Sequence, residues 1–316
     1  MMNSLVDVYG RSFKTLRVSI LNRCNFNCIY CTEGEGKVKE TASHLSTEEL
    51  LQRINYLHQH LQLETVRLTG GEPTLYHQLT DLIRGIKYIG INNISITTNG
   101  FLLEKLAAPM KVAGLQNINV SLDAIDEDVF CLMSKRTDVQ RIVDGILAAK
   151  AIGLQVKINT VVMKGVNESQ ILPLVDFAFA NNVTIRFLEI MAMGHLHHQS
   201  QQYFYAQHDL LHTIAGKYSF SKLERTNAAT ANYWQTKEGH TFGIIANESA
   251  PFCSDCNRLR LDSNGNIYGC LSSNHPIRID DWTNMLEVTE KLKAALLQKQ
   301  SIKFKGSNLS MLEIGG

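Results

Sequence analysis

Short β-rich runs alternate with amphipathic segments through the first two-thirds of this 316-residue chain. The candidate strands are residues 16–21, 65–69, 93–98, 117–122, 155–163 and 184–189. Strands separated by helices pair in parallel through right-handed crossovers, so this order predicts an α/β fold. We expect an incomplete, TIM-like (β/α)6 barrel followed by a C-terminal extension.

The segments between these strands carry helix signals. Ser-Thr-Glu-Glu at residues 46–49 is typical of a capping box, and Leu50, Ile54 and Leu57 follow on one stripe. Further helices are predicted at residues 79–89, 103–113, 139–152, 171–181 and 210–218.

Polar motifs stand on the candidate strands or at their carboxyl ends. They are a cysteine loop after the first strand, Gly-Gly-Glu-Pro at 70–73, Thr-Thr-Asn-Gly at 97–100, Ser-Leu-Asp-Ala at 121–124, Lys157 and Asn159, and Glu189 and Met191. Each motif on its own could be turn chemistry. Parallel barrel strands, however, end at one mouth, where catalytic residues gather. The set therefore predicts an active site at that mouth.

Three cysteines in the loop after the first strand, Cys24, Cys28 and Cys31, are spaced C-x3-C-x2-C. Thiolates are the usual ligands of iron–sulfur clusters, and three of them leave one iron of a four-iron cluster open. An open iron can bind S-adenosylmethionine (SAM). Zinc usually takes four ligands and disulfides need pairs, so both alternatives fit less well. Tyr30, an aromatic residue before the last cysteine, is typical of the radical SAM superfamily.

A second cysteine trio, Cys253, Cys256 and Cys270, is spaced C-x2-C-x13-C. Ser-Asn-Gly-Asn at residues 263–266 predicts a hairpin that returns Cys270 towards the other two. A zinc site completed by His275 and a second iron–sulfur cluster both fit this pattern.

Several basic residues fall on the same strands. Arg17 begins the first strand, Arg67 lies in the second, Lys157 in the fifth, and Arg258 and Arg260 lie two apart on one hairpin arm. A lone arginine is usually a surface residue. Converging arginines would form a clamp for a polyphosphate.

The composition excludes some classes of protein. The net charge of +1 gives no global field for nucleic acid or a membrane. The N-terminal residues lack the apolar stretch of a secretory signal, and no stretch is long enough to span a bilayer. We expect a cytoplasmic protein whose seven cysteines are metal ligands or free thiols.

The chain as a whole resembles the GTP 3′,8-cyclase family of radical SAM enzymes. The motifs that carry the resemblance are RCNFNCIYC at 23–31, RLTGGEP at 67–73, ITTNG at 96–100, NVSLDA at 119–124, RFLEIM at 186–191, FCSDCNRLRL at 252–261, DSNGNIYGCL at 262–271 and the terminal Gly315-Gly316. Thr74–His77 and Thr32-Glu33 depart from the usual family pattern.

The resemblance implies two [4Fe–4S] clusters and SAM as cofactors. Cys24, Cys28 and Cys31 would hold the first cluster, and Cys253, Cys256 and Cys270 the second. SAM would contact Tyr30, Gly71, Ser121 and Met191. Residues 1–194 would form the radical SAM partial barrel, and residues 195–316 the region for the second cluster and GTP.

The resemblance also implies the reaction, the first step of molybdenum cofactor biosynthesis. A 5′-deoxyadenosyl radical would take hydrogen from C3′ of GTP, and C3′ would then bond to C8. The GTP contacts would be Arg17, Arg67, Thr97, Lys157, Arg258, Leu259 and Arg260. Arg258, Arg260, Gly315 and Gly316 would take part in catalysis.

The implied partners are a flavodoxin- or ferredoxin-type electron donor and, downstream, cyclic pyranopterin monophosphate synthase. A homodimer is compatible with the resemblance. Two other readings compete with this one: a radical SAM enzyme that acts on a peptide, and a metal-binding module without catalysis. The basic residues argue against the first, and the motifs at the strand ends argue against the second.

Overall fold

A computed structural model describes residues 5–33 and 44–315. Within these ranges, eleven strands form one sheet in the order β11-β10-β1-β2-β3-β4-β5-β6-β9-β8-β7. The strands are β1 (Thr15–Ser19), β2 (Thr65–Thr69), β3 (Asn93–Thr98), β4 (Asn117–Ser121), β5 (Gln155–Val162), β6 (Thr184–Glu189), β7 (Phe220–Lys222), β8 (Asn232–Thr236), β9 (Thr241–Ile245), β10 (Arg258–Leu261) and β11 (Ile267–Tyr268).

The six predicted strands are confirmed as β1 to β6, each paired in parallel with the next. Their bounds differ from the prediction by at most two residues at an end. The partial barrel is therefore built in the predicted order.

Helices alternate with the strands along most of the described residues. They are α1 (Thr47–Leu61), α2 (Leu79–Ile89), α3 (Leu103–Ala113), α4 (Glu127–Ser134), α5 (Val139–Ala151), α6 (Ile171–Ala180), α7 (Gln207–Ala215), α8 (Met285–Leu297) and α9 (Met311–Ile314). Short 3-10 helices span Pro73–Leu75, Glu168–Gln170, Gly194–Leu196 and Ser200–Tyr203. None of the helices in the described part of the chain is long and apolar enough to span a membrane.

The predicted capping box opens α1. The Ser46 hydroxyl accepts a hydrogen bond from the Glu49 amide at 3.2 Å, and the Glu49 carboxylate accepts one from the Ser46 amide at 2.8 Å. Two amides that the first helical turn cannot satisfy are thus paired. Helix α7 begins three residues earlier than predicted, and α4 and α8 lie in segments for which we predicted no helix.

The C-terminal segment extends the sheet at both edges. Strand β10 pairs in parallel with β1, and β9 pairs in parallel with β6. An incomplete barrel exposes unpaired backbone groups on both edge strands, and these two strands satisfy them. The predicted hairpin is confirmed, because β10 and β11 pair antiparallel around residues 262–266. The domain boundary after residue 194 stays a prediction.

Strand alternation separates the core from the site. On β1, Leu16 and Val18 are fully buried in the hydrophobic core, whereas Arg17 between them lines the interior cavity. On β2, Val66 and Leu68 flank Arg67 in the same way. Successive side chains point to opposite faces of a strand, so each strand supplies both layers.

Strand β9 should be an integral part of the core. Ile244 on β9 is fully buried, and Ile302 in a loop is 78% exposed. We expect Ile244→Ala to lower the free energy of unfolding by about 2–4 kcal/mol, since it leaves a cavity. Ile302→Ala should change it by less than about 0.5 kcal/mol. Anaerobic urea denaturation of the apoprotein measures both, and equal effects would contradict the placement of β9.

Candidate active site

The first cysteine trio lies in the loop after β1, and all three thiols line one cavity at the mouth of the barrel. The Cys31 amide donates to the Cys28 carbonyl at 2.9 Å, and the Phe26 amide donates to Cys24 Sγ at 3.3 Å. These turns bring thiols from three positions of one short loop to the same wall.

Burial favours the protonated, uncharged form of these thiols when no metal is bound to them. It raises the pKa of Cys24 to about 11, that of Cys31 to about 12 and that of Cys28 well above its usual range, and the neighbouring thiols add to the rise for Cys28 and Cys31. A bound metal reverses this balance, because it deprotonates the thiols that coordinate it. The donor set therefore fits an iron–sulfur cluster.

The Gly-Gly-Glu-Pro turn packs directly against the cysteine loop. The Gly71 amide donates to the Leu21 carbonyl, and the Glu72 amide to the Arg23 carbonyl, both at 2.8 Å. A Cβ atom on Gly71 would lie 2.2 Å from the Arg23 carbonyl oxygen. Only glycine permits so close an approach of two backbones.

Glu72 is 1% exposed and connects this turn to the end of β3. Its carboxylate accepts hydrogen bonds from the Thr98 hydroxyl and the Asn99 amide, both at 2.6 Å, and from the Thr74 amide at 2.9 Å. Asn99 Nδ2 in turn lies 3.8 Å from Cys24 Sγ. The carboxylate thus fixes a residue that contacts a predicted cluster ligand.

The four predicted SAM contacts, Tyr30, Gly71, Ser121 and Met191, all line the same cavity. The roles of the four residues stay predictions.

The Tyr30 hydroxyl donates to the Asp123 carboxylate at 2.7 Å, and the Val161 amide donates to the other oxygen of that carboxylate at 2.8 Å. Burial raises the pKa of Asp123 to about 6, and these hydrogen bonds oppose the rise.

The second cysteine trio faces this cavity as well. Burial and the other two thiols raise the pKa of Cys253 to about 11. Burial also acts on Cys256, but the charges of Arg258 and Lys299 outweigh it and lower the pKa of that thiol to about 6. One member of the trio therefore lies in a strongly positive environment.

The zinc alternative for this trio lacks its fourth ligand. His275 is exposed and does not line the cavity. In the part of the chain that the structure describes, no three His, Cys, Asp or Glu side chains are grouped as one metal ion would need. A cluster larger than a single ion needs no such close grouping.

Three arginines lie in register across neighbouring strands. Arg260 on β10 is paired with Arg17 on β1, and Arg17 is paired with Arg67 on β2. Arg186 and Arg258 line the same cavity. Among residues 5–33 and 44–315, none of the five forms an ion pair with a carboxylate.

The pKa values of these guanidinium groups reflect this crowding. Burial and then the charges of Arg260 and Arg67 lower the pKa of Arg17 well below its usual range. Burial lowers the pKa of Arg67 and of Arg260 to about 10 each. Buried positive charges without counter-charges are costly, so this wall is suited to an anionic ligand.

The remaining predicted residues lie at different depths. Thr97 lines the cavity, whereas Lys157 does not, although it shares a face of β5 with Asn159. Leu259 is fully buried in the hydrophobic core, so only its backbone could contact a nucleotide. The Gly315 carbonyl accepts a hydrogen bond from Arg260, and Gly316 lies outside the described residues.

The structure adds two cations that we did not predict. Arg186 on β6 donates to the Asn119 side chain at 2.6 Å and to the Asn159 side chain at 2.9 Å. Its alternation with Leu188, another cavity residue, is a signal that could have identified it. Lys299 follows α8, and no motif marks it.

The fold and the two cysteine trios at one barrel mouth define a radical SAM enzyme. Residues 18–178 match the family model of the Radical SAM superfamily, and residues 183–309 match that of Molybdenum Cofactor Synthesis C. A curated GTP 3′,8-cyclase from Synechocystis sp. is 35% identical over 316 residues, which cover 100% of this chain and 96% of that protein. A GTP 3′,8-cyclase from Staphylococcus haemolyticus is 38% identical over 281 residues, which cover 86% and 83%. The chain belongs to the GTP 3′,8-cyclase family.

Solved structures support the fold. Streptococcus suis SuiB bound to S-adenosylmethionine matches with a TM-score of 0.60 at 17% identity, over 88% of this chain and 63% of that chain. The anSMEcpe structure with bound AdoMet matches with a TM-score of 0.61 at 16% identity, over 88% and 81%. Radical SAM enzymes bind a [4Fe–4S] cluster and SAM, and GTP 3′,8-cyclases carry two such clusters.

The burial of Leu259 predicts that its side chain contributes to the stability of the protein and not to GTP binding. We expect Leu259→Ala to lower the free energy of unfolding by about 2–5 kcal/mol, because a buried side chain is removed. The dissociation constant of the folded variant for GTP should stay within about threefold of the parent value, which is a change of less than about 1 kcal/mol in binding free energy. Anaerobic calorimetry at low temperature measures it. A tenfold weaker affinity would instead place the Leu259 side chain against the nucleotide.

Proposed function

We propose that this chain is a radical SAM lyase that converts GTP to (8S)-3′,8-cyclo-7,8-dihydroguanosine 5′-triphosphate. This reaction is the first step of molybdenum cofactor biosynthesis. The main observation behind this proposal is that Arg260, Arg17 and Arg67 lie in register on neighbouring strands. The three arginines line one cavity together with both cysteine trios. Membership of the GTP 3′,8-cyclase family supports the same reaction.

Cys24, Cys28 and Cys31 hold the first cluster in this proposal, and Cys253, Cys256 and Cys270 hold the second. When bound, the first cluster and SAM would supply the 5′-deoxyadenosyl radical that takes hydrogen from C3′ of GTP. After C3′ bonds to C8, the radical left on the guanine takes up one electron, supplied by the electron donor, and one proton to give the product. The SAM contacts are Tyr30, Gly71, Ser121 and Met191. These four residues line the same cavity as the arginines.

Arg17, Arg67 and Arg260 bind the triphosphate, since guanidinium groups pair strongly with phosphate oxygens. We assign Arg186 to the same wall. Arg258 lies nearest to the second cysteine trio in sequence, and its guanidinium stacks over the Phe252 ring at 5.3 Å. Its charge, with that of Arg260, stabilises negative charge on the reacting guanine. Thr97, which lines the cavity, is a further substrate contact. We keep Lys157 as a substrate contact because it shares a face of β5 with the cavity residue Asn159, although it does not itself line the cavity.

A radical SAM enzyme needs an electron donor, for which we propose a flavodoxin- or ferredoxin-type protein. Cyclic pyranopterin monophosphate synthase would consume the product. We place the enzyme in the cytoplasm, where thiols stay reduced, and propose that it forms a homodimer.

Anaerobic turnover tests the function. The reconstituted chain should bind about eight irons, four for each cluster. It should form 5′-deoxyadenosine and the cyclised nucleotide from SAM and GTP. Cys24→Ala, Cys28→Ala and Cys31→Ala should each abolish 5′-deoxyadenosine formation. Iron at half this level with bound zinc, or no cyclised product from GTP, would refute the proposal.

The phosphate role of the arginine row predicts a selective loss of affinity. We expect Arg17→Ala to weaken GTP binding by tenfold or more, because a charge-assisted contact worth about 1.5–3 kcal/mol disappears. Guanosine binding should change by less than about threefold, since the base contacts remain. Lys157→Ala should show the same pattern with a smaller loss. Equal losses for GTP and guanosine in calorimetry would exclude a phosphate contact.

The diglycine tail is predicted to act in catalysis. Gly315 has φ +78°, and a Cβ atom there would lie 2.6 Å from Ser19 Cβ. We expect deletion of Gly315 and Gly316 to lower turnover at least tenfold, because Arg260 loses a backbone partner that orients it. Gly315→Ala should do partial harm. Normal turnover by a truncated enzyme of full iron content would show that the tail has no role.

A further inference from the structure

Lys299 is a buried lysine in the wall of the active-site cavity. It is 7% exposed and follows helix α8. Its ammonium group donates to Cys256 Sγ at 3.1 Å and to the Arg258 carbonyl at 2.8 Å. It also lies 5.3 Å from the centre of the Phe13 ring.

The partners of this ammonium include no carboxylate. In the described part of the chain, Lys299 forms no ion pair with Asp or Glu. A buried charge needs a compensating charge, and the group that can carry one within hydrogen-bond distance is the sulfur of Cys256. The lysine is therefore matched to a thiolate and to the metal group that this thiolate binds.

Arg11 links the segment that carries Lys299 to the loop that carries Cys253. The Arg11 guanidinium donates to the Cys253 carbonyl at 2.5 Å and to the Gln300 carbonyl at 2.9 Å. Asp7 pairs with Arg11 at 2.6 Å. The segment that carries Lys299 is thus tied to the cysteine loop at the next residue, so the ammonium cannot move away freely.

We propose that Lys299 is a positioning residue for the second cluster, which it serves through an N–H···S hydrogen bond to Cys256. The inference rests on the proposed function, because it takes Cys253, Cys256 and Cys270 as cluster ligands. Hydrogen bonds to ligand sulfurs and nearby positive charge stabilise the more negative, reduced state of a cluster. Lys299 therefore raises the reduction potential of this cluster and holds its ligand against the strand that begins with Arg258.

The test measures the second cluster alone, in the full chain. Cys24→Ala, Cys28→Ala and Cys31→Ala together remove the first cluster and its signal. Lys299→Met and Lys299→Arg are made in this background. Lys293→Met is the matched control, since Lys293 is exposed on α8. Iron content and an anaerobic redox titration followed by electron paramagnetic resonance are measured for each variant.

The equilibrium constant for one-electron reduction should fall at least tenfold in Lys299→Met, a shift of about 59 mV to more negative potential. Lys299→Arg keeps a charged donor and should retain most of the parent potential. Lys293→Met should match the parent. The Lys299→Met protein could lose the cluster altogether. In that case, a Lys299→Arg protein that assembles the cluster at a near-parent potential supports the proposal.

Two results would overturn the inference. One is a Lys299→Met protein of full iron content at the parent potential. The other is loss of the cluster from both Lys299 variants, which indicates a packing role instead of a hydrogen bond. A parent background without about four irons would instead refute the second cluster and, with it, the proposed function.

Discussion

The site depends on positive charge that the barrel leaves unpaired. Among the described residues, three carboxylates line the same cavity as the arginines, and each accepts hydrogen bonds from uncharged donors. Glu72 accepts from Thr98 and Asn99, and Asp123 accepts from Tyr30. Glu189 accepts from the Glu248 and Ser249 amides at 2.9 and 3.1 Å. Because these carboxylates anchor loops, the cavity keeps a net attraction for an anion.

The same carboxylates explain why separate strand ends behave as one site. Glu72 joins the turn after β2 to the end of β3, and Glu189 joins the end of β6 to the loop after β9. A buried carboxylate that accepts several hydrogen bonds has few alternative arrangements, since each lost bond leaves a costly unsatisfied group. The turn after β2 and the loop after β9 are therefore anchored to the core by these buried carboxylates.

The sequence identified the six barrel strands because buried parallel strands and amphipathic helices have distinct periods. It could not place β9 and β10 beside β6 and β1, because pairing between distant segments is decided by which edges remain open. Period-two alternation could have separated Leu259 from Arg258 and Arg260, since neighbouring strand residues face opposite ways. Lys299 carries no such signal: its burial arises from where the segment after α8 meets the cysteine loop.

The C-terminal segment joins folding to substrate binding. Strand β10 closes one open edge of the barrel and carries Arg260 into register with Arg17. The loop before β10 carries Cys253 and Cys256, and the hairpin after it returns the chain to Cys270. Pairing of this one strand thus sets both the spacing of the arginines and the distance from them to the second cysteine trio. An error of one residue in its register would turn Arg260 towards the core and Leu259 into the cavity. Burial of Leu259 in the hydrophobic core therefore favours the register that places Arg260 beside Arg17.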